Sequence, residues 1–248
     1  MKTLENSFGR FILLLLLTIG YSRSEANPKP TETSRLTKTN TVRLERNRAM
    51  RTAISMYKEM NLDSAGLNRE AFEYAYIGYA RLRKRHLLHK ATILSVCDFS
   101  QPSSEQRMYV IDIYNKKLLY RTFVAHGINS GNEYANSFSN RRNSWKSSLG
   151  FYITKQAYHG DNGLSLRIQG MDRGFNDMAN HRNIVIHGAP YVSTRILKKY
   201  GVMGTTFGCP AIPEDMSSQI IPVIKKGSCF FIYYPSQRYL SRSSVLNG

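Results

Sequence analysis

Cysteine and histidine side chains together can build a nucleophile, and this chain holds three of the first and six of the second. Cys209 stands in GTTFGCPAIP, residues 204–213, between a glycine and a proline. Gly208 can take backbone angles that other residues avoid. Pro210 fixes its own φ, carries no N–H, and keeps Cys209 out of helical geometry. A stiff turn therefore presents the sulfur, either as a small buried apolar group or as a reactive thiol. A thiol attacks as thiolate, which requires a base, and the base requires a third group to hold its ring. His187 ends the run NIVIHG, where a strand hands over to a loop, and Gly188 leaves its own carbonyl open to accept from the imidazole. Only 22 residues separate His187 from Cys209, enough for a strand–helix–turn excursion that returns near its start. His126 and His159 are also followed by glycine and compete for the base role, while His86, His89 and His181 lie in basic or polar runs.

The elements that must position these groups follow from periodicity. TVRLERNRAMRTAISMYKEM and REAFEYAYIGYARLRKRHL repeat their apolar residues at helical spacing, Phe72, Ala75, Tyr76, Tyr79 and Leu82 most clearly, and NLDSAGLN between them has turn chemistry. From Ala91 the pattern changes to short β-rich runs: ATILSVCDF, RMYVIDIYN, KLLYRTFVAHG, GFYITKQAY, LSLRIQGM, NIVIHG and SCFFIYY. DIYNKKLLY reads as a hairpin and YHGDNGLSL as a second Gly-rich connection. VSTRILKKYG and PEDMSSQIIPVIKKG are the helical interruptions. The expectation is a mainly β, mostly antiparallel domain with small outer helices, preceded by a helical segment.

The ends suggest export. MKTLENSFGRFILLLLLTIGYSRSEANPKP has a basic start, an apolar block too short to span a bilayer, and small residues Ser24 and Ala26 ahead of a cleavage point. The expected organisation is a signal peptide over 1–26, a flexible lead-in over 27–40, a helical segment over 41–90, a catalytic domain over 91–236 and a C-terminal tail over 237–248. The formal net charge is +18, of which the leader carries only +1. Such a charge favours an anionic partner: nucleic acid, acidic polysaccharide, lipid or a carboxylate-rich wall. Export argues against nucleic acid, and RLRKRHLLHK at 81–90 lacks the interleaved aromatics of a single-strand platform. Cys97, Cys209 and Cys229 are an odd number for an exported chain, so at least one is unpaired unless it bridges molecules. Cys97 and Cys229 sit in strand-like runs, where burial and a mutual disulfide are both open. The cysteine and histidine spacings do not form a zinc pattern.

IVIHGAPYVS followed by GTTFGCPAIP resembles the L,D-transpeptidase (YkuD-like) catalytic domain of bacterial cell walls, in the branch with GCPA after the turn. VAHGINSGNEYANSFSN, SSLGFYITKQAYHGDNGLSLRIQGM and the helical AFEYAYIGYARL extend the resemblance over about residues 66–236. It implies an L,D-transpeptidase-like mixed or antiparallel β-sandwich. It makes Cys209 the nucleophile, His187 the general base, and Gly188 the residue whose carbonyl orients the imidazole. Backbone N–H groups of Gly208 and Cys209 would form the oxyanion hole, with Tyr191, Thr206 and Phe207 against substrate. Thr206 replaces the family's usual serine, and Thr205 and Phe207 stand where the nearest relatives carry arginine and tryptophan.

The implied reaction is acyl transfer on peptidoglycan stem peptides, with a thioester to the third stem residue, release of D-alanine, and passage to an amine. It needs no metal or organic cofactor, and the cationic surface suits an anionic envelope. Water as acceptor would make the protein an L,D-carboxypeptidase, and the fold without catalysis would make it a wall-binding module. Oligomeric state is not legible in the residues.

Overall fold

The computed structural model describes residues 32–248, with side chains from Asn40 onwards. The expected signal peptide lies outside the described residues. Helix α1, Glu32–Glu59, begins two residues after Pro30, so it takes in most of the stretch read as a flexible lead-in. The reason is that polar composition limits burial but does not forbid a helix, and no proline or glycine interrupts residues 32–59. Ala53, Met56 and Tyr57 of α1 are buried. Helix α2, Arg69–Lys84, is capped by Asn68, whose side chain accepts from the N–H groups of Glu70 and Ala71. Glu70 in its first turn and Arg81, Arg83 and Lys84 in its last complement the helix dipole. Of the predicted stripe, Phe72, Ala75, Tyr79 and Leu82 are buried and Tyr76 is half-buried. Gly78 lets α2 approach the sheet, because a Cβ there would sit 2.0 Å from the Phe151 ring.

Eight strands form one continuous sheet: β1 Ile93–Asp98, β2 Met108–Asp112, β3 Lys117–Thr122, β4 Gly150–Gly160, β5 Gly163–Gly170, β6 Val185–Ala189, β7 Ala211–Pro213 and β8 Cys229–Tyr233. Their order is β3-β2-β1-β8-β4-β5-β6-β7. The β1–β8 and β6–β7 pairs are parallel and the remaining pairs antiparallel, so the sheet is mixed. Both predicted hairpins are present, as β2–β3 and β4–β5. β1 and β8 are buried along their whole length, which is why ILSVCD and CFFIY read as continuous apolar runs. Phe151 of β4 stacks on Phe231 of β8 with ring centroids 4.1 Å apart.

Cys97 and Cys229 are buried and unbonded. Although their strands are neighbours, Cys229 pairs with Leu94 while Cys97 pairs with Ile232, a register that keeps the sulfurs apart. Burial pushes both thiols far up from their ordinary range.

Residues 237–248, expected as a tail, fold into α5, Gln237–Arg242, and α6, Ser244–Asn247. A buried carboxylate draws them in. Asp172 accepts from the Phe151 N–H at 2.9 Å, the Tyr239 hydroxyl at 3.0 Å, the Ser243 hydroxyl at 2.5 Å and the Val245 N–H at 3.1 Å. A buried carboxylate is tolerated when donors surround it, and here the C-terminal segment supplies three of the four. Arg81 of α2 adds a bond to the Val245 carbonyl at 3.0 Å.

Candidate active site

His187 lies mid-strand in β6, paired with Ser165 of β5 on one side and Ala211 of β7 on the other. Its Nδ1 is 2.9 Å from the carbonyl of Gly188. A carbonyl can only accept, so Nδ1 carries the proton and the lone pair of the neutral ring is on Nε2. Burial pushes the His187 pKa down, partly offset by the Gly188 bond. Gly188 is required by close approach: a Cβ there would lie 2.8 Å from Ser217 Oγ and 3.1 Å from the Glu214 Cα of helix α4, Glu214–Ile224.

The chain leaves β6, forms helix α3, Thr194–Tyr200, and returns as β7. This is the predicted excursion. Because β6 and β7 run parallel with His187 opposite Ala211, Cys209 falls beside Val185, two residues from His187 along one strand. The contact is direct: the Val185 N–H points at Cys209 Sγ from 3.5 Å, and the thiol faces the Asn183 carbonyl at 3.8 Å. Side chains two apart on a strand share a face, so Val185 and His187 project to the same side. Burial pushes the Cys209 thiol up, opposed by the Val185 N–H and the positive charge of Arg182.

The turn before Cys209 is held by one hydroxyl. Thr206 Oγ1 accepts from the Gly208 N–H at 3.0 Å and donates to the Cys209 carbonyl at 2.7 Å. Gly208 has φ +120°, and a Cβ on it would lie 2.8 Å from the Lys146 carbonyl, so glycine is demanded by both angle and space. Thr206 is buried and its hydroxyl is engaged inside the turn. The Gly208 N–H is likewise engaged, whereas the Cys209 N–H has no acceptor among the described residues.

Below the turn lies a buried pair that sequence reasoning missed. His126 receives a bond from Arg107 at Nδ1, 2.7 Å away, and its Nε2–H donates to the Gly131 carbonyl at 3.1 Å. Both ring nitrogens are occupied, and burial with the adjacent Arg107 charge pushes the pKa down to about 4. The His126 carbonyl accepts the Thr206 N–H at 2.9 Å, so this residue anchors the turn. His159 is exposed near the tip of the β4–β5 hairpin. Of the three competing histidines, His187 alone has a free nitrogen on the strand beside Cys209.

Two clefts meet at Asn183. Cys209 opens into one, with Val185, Tyr158, Asp161, Arg167 and Asn180. Phe207 lines the other with Trp145, Arg142 and His181, its exposed ring 5.2 Å from that of Trp145. Tyr191 is half-buried and accepts the Gly204 N–H on its carbonyl at 3.1 Å. Its hydroxyl pKa is raised by burial and then by the Cys209 charge.

The model of the L,D-transpeptidase catalytic domain family matches residues 63–233. The chain belongs to that family. No curated protein sequence matches the chain. Among solved structures it is similar to an L,D-transpeptidase from Mycobacterium smegmatis, with 11% identity over 58% of this chain and 59% of that one, at a TM-score of 0.35. It is also similar to an L,D-transpeptidase from Mycobacterium tuberculosis (13%, 58% and 58%, 0.35) and to a helical cell shape determining protein from Campylobacter jejuni (13%, 58% and 49%, 0.35). The chain thus spans half to three fifths of the length of these structures.

Within this transpeptidase domain, Arg182 is a further residue that sequence reasoning passed over. It donates to the carbonyls of Ser139 and Lys146 at 2.8 and 2.7 Å and to the hydroxyls of Ser148 and Ser144 at 2.5 and 3.2 Å. The guanidinium holds the 139–148 segment next to Gly208, and its positive charge opposes the upward push of burial on the Cys209 thiol. Its only trace in the sequence is its place immediately ahead of NIVIHG.

Proposed function

We propose that the protein is an exported cysteine acyltransferase acting on peptidoglycan stem peptides, with Cys209 as nucleophile and His187 as general base. The observation that carries this reading is the Nδ1–H bond of His187 to Gly188, which leaves Nε2 as an acceptor on the strand that touches Cys209. Family membership supports peptidoglycan as the substrate class.

Nε2 of His187 takes the thiol proton, and the sulfur bonds to the carbonyl carbon of the third stem residue. The charge that develops on the carbonyl oxygen meets the Cys209 N–H, the donor that Thr206 leaves unengaged. Collapse breaks the C–N bond, the proton on His187 passes to the departing D-alanine amine, and a thioester remains on Cys209. An acceptor amine then attacks, gives its proton to His187, and the C–S bond breaks with return of the proton to sulfur. Tyr191 and Phe207 form the walls against which the stem lies. The N-terminal leader would deliver the domain outside the cytoplasm, to the periplasm or beyond, where the positive charge draws it to carboxylate-bearing stems.

Mass spectrometry of tetrapeptide muropeptides incubated with the purified protein tests this. Release of D-alanine with new crosslinks, abolished in Cys209→Ala, is the expected result. Release without crosslinks assigns an L,D-carboxypeptidase, and an unchanged profile at high enzyme overturns catalysis.

A further inference from the structure

Arg167 sits on β5 opposite Val185, the residue whose N–H points at the Cys209 sulfur. Ser165, two residues away on the same strand and so on the same face, is opposite His187. Arg167, Tyr158 and Cys209 line one cleft. The guanidinium of Arg167 lies over the Tyr158 ring at 4.5 Å from its centroid, a contact that fixes the plane of the group and leaves its N–H edges unused.

Two other guanidiniums near the turn are spent. Arg182 donates to four oxygens, and Arg107 to two carbonyls and to His126. Arg167 makes no hydrogen bond or ion pair with any described residue. Asp161, at the hairpin tip, lines the same cleft without pairing to it. An exposed, stacked and unpaired guanidinium beside a nucleophile is a receptor for a planar two-oxygen anion, since its fork matches a carboxylate in two parallel bonds.

We propose that Arg167 holds a free carboxylate of the peptide substrate beside Cys209 and selects carboxylate-bearing chains over amidated ones. The ligand's identity as a stem peptide rests on the acyl-transfer reading; the carboxylate preference does not.

Alkylation of Cys209 by iodoacetate and by the neutral iodoacetamide separates the two, because Cys97 and Cys229 are fully buried and do not compete. In each case sulfur bonds to the methylene carbon and iodide departs, so the ratio of rates reads carboxylate recognition alone. Arg167→Gln is expected to lower the iodoacetate to iodoacetamide ratio about tenfold, the lower end of a charge-assisted bond. Arg167→Lys should keep part of the ratio. Arg142→Gln, in the neighbouring cleft, should leave it unchanged. An unaltered ratio in Arg167→Gln, or an equal fall in Arg142→Gln, overturns the proposal.

With tetrapeptide substrate, Arg167→Gln should raise KM more than it lowers kcat. Comparison with stems amidated at the C-terminus or on the diamino-acid side chain identifies the carboxylate, since the variant's defect vanishes for the stem lacking it. A defect of equal size on all three stems counts against the assignment. Absence of D-alanine release combined with a shifted alkylation ratio would sink the acyl-transfer reading and leave the carboxylate site standing.

Discussion

The hydroxyl of Thr206 donates to the carbonyl of Cys209 at 2.7 Å while accepting the Gly208 N–H at 3.0 Å. One side chain therefore closes the turn that aims the sulfur, and it does so with the atom that serine and threonine share. Thr206→Val keeps the shape and loses both bonds. We expect it to slow iodoacetamide capture of Cys209 by about tenfold or more, the cost of a buried N–H and C=O left without partners, about 1–3 kcal/mol. Thr206→Ser should behave like the parent. Stopped alkylation followed by mass spectrometry makes the comparison.

The base assignment has a pH signature. Burial lowers the His187 pKa from its ordinary 6.5, so the neutral ring persists as pH falls through that value. The acid limb of Cys209 alkylation should therefore lie below pH 6.5. The thiol is pushed above its ordinary 9.0, so without the base it ionises only in alkaline solution. His187→Ala should lose the neutral-pH rate and regain capture above pH 9, while His159→Ala should follow the parent profile. A neutral-pH rate unaffected by His187→Ala would remove this histidine from the mechanism.

His126 makes folding sensitive to acid. Its folded pKa is depressed to about 4 from 6.5, so the unfolded chain binds the extra proton between these values and stability falls as pH falls through that window. At about 1.4 kcal/mol per unit, this one group removes roughly 3 kcal/mol between pH 6.5 and 4. Urea unfolding at pH 7, 5.5 and 4 should show the slope, and His126→Asn should flatten it while lowering stability at pH 7. Because the His126 carbonyl holds Thr206, the variant should also capture iodoacetamide more slowly.

Asp172 joins the C-terminal helices to β4 through four donors. Asp172→Ala leaves the Phe151 and Val245 N–H groups and two hydroxyls unpaired in the core. A loss of about 3 kcal/mol or more is expected, seen as a clear fall in Tm. Removing residues 237–248 should destabilise comparably, because it strips the carboxylate of three of its partners. A truncated chain with an unchanged Tm would show that the helices are dispensable.

The sequence by itself determined the period of most helices and strands and the residues with reactive chemistry. Helical spacing marked α2, alternating and continuous apolar runs marked the strands, and Gly–Cys–Pro and His–Gly marked the two ends of the β6–β7 excursion. These are local properties, fixed by backbone sterics and by which face must leave water. Tertiary structure alone decided which histidine has a free nitrogen. His126 and His187 look alike in the chain, and only the Arg107 and Gly131 contacts occupy one ring while Gly188 leaves half of the other open. It also made Thr206 the brace of the turn, and the C-terminal segment part of the core. Hydrogen-bond partners far apart in sequence, such as Asp172 with Val245 or Arg107 with His126, leave no periodic trace. Their pairing comes from the order of strands in the sheet, which no local pattern encodes.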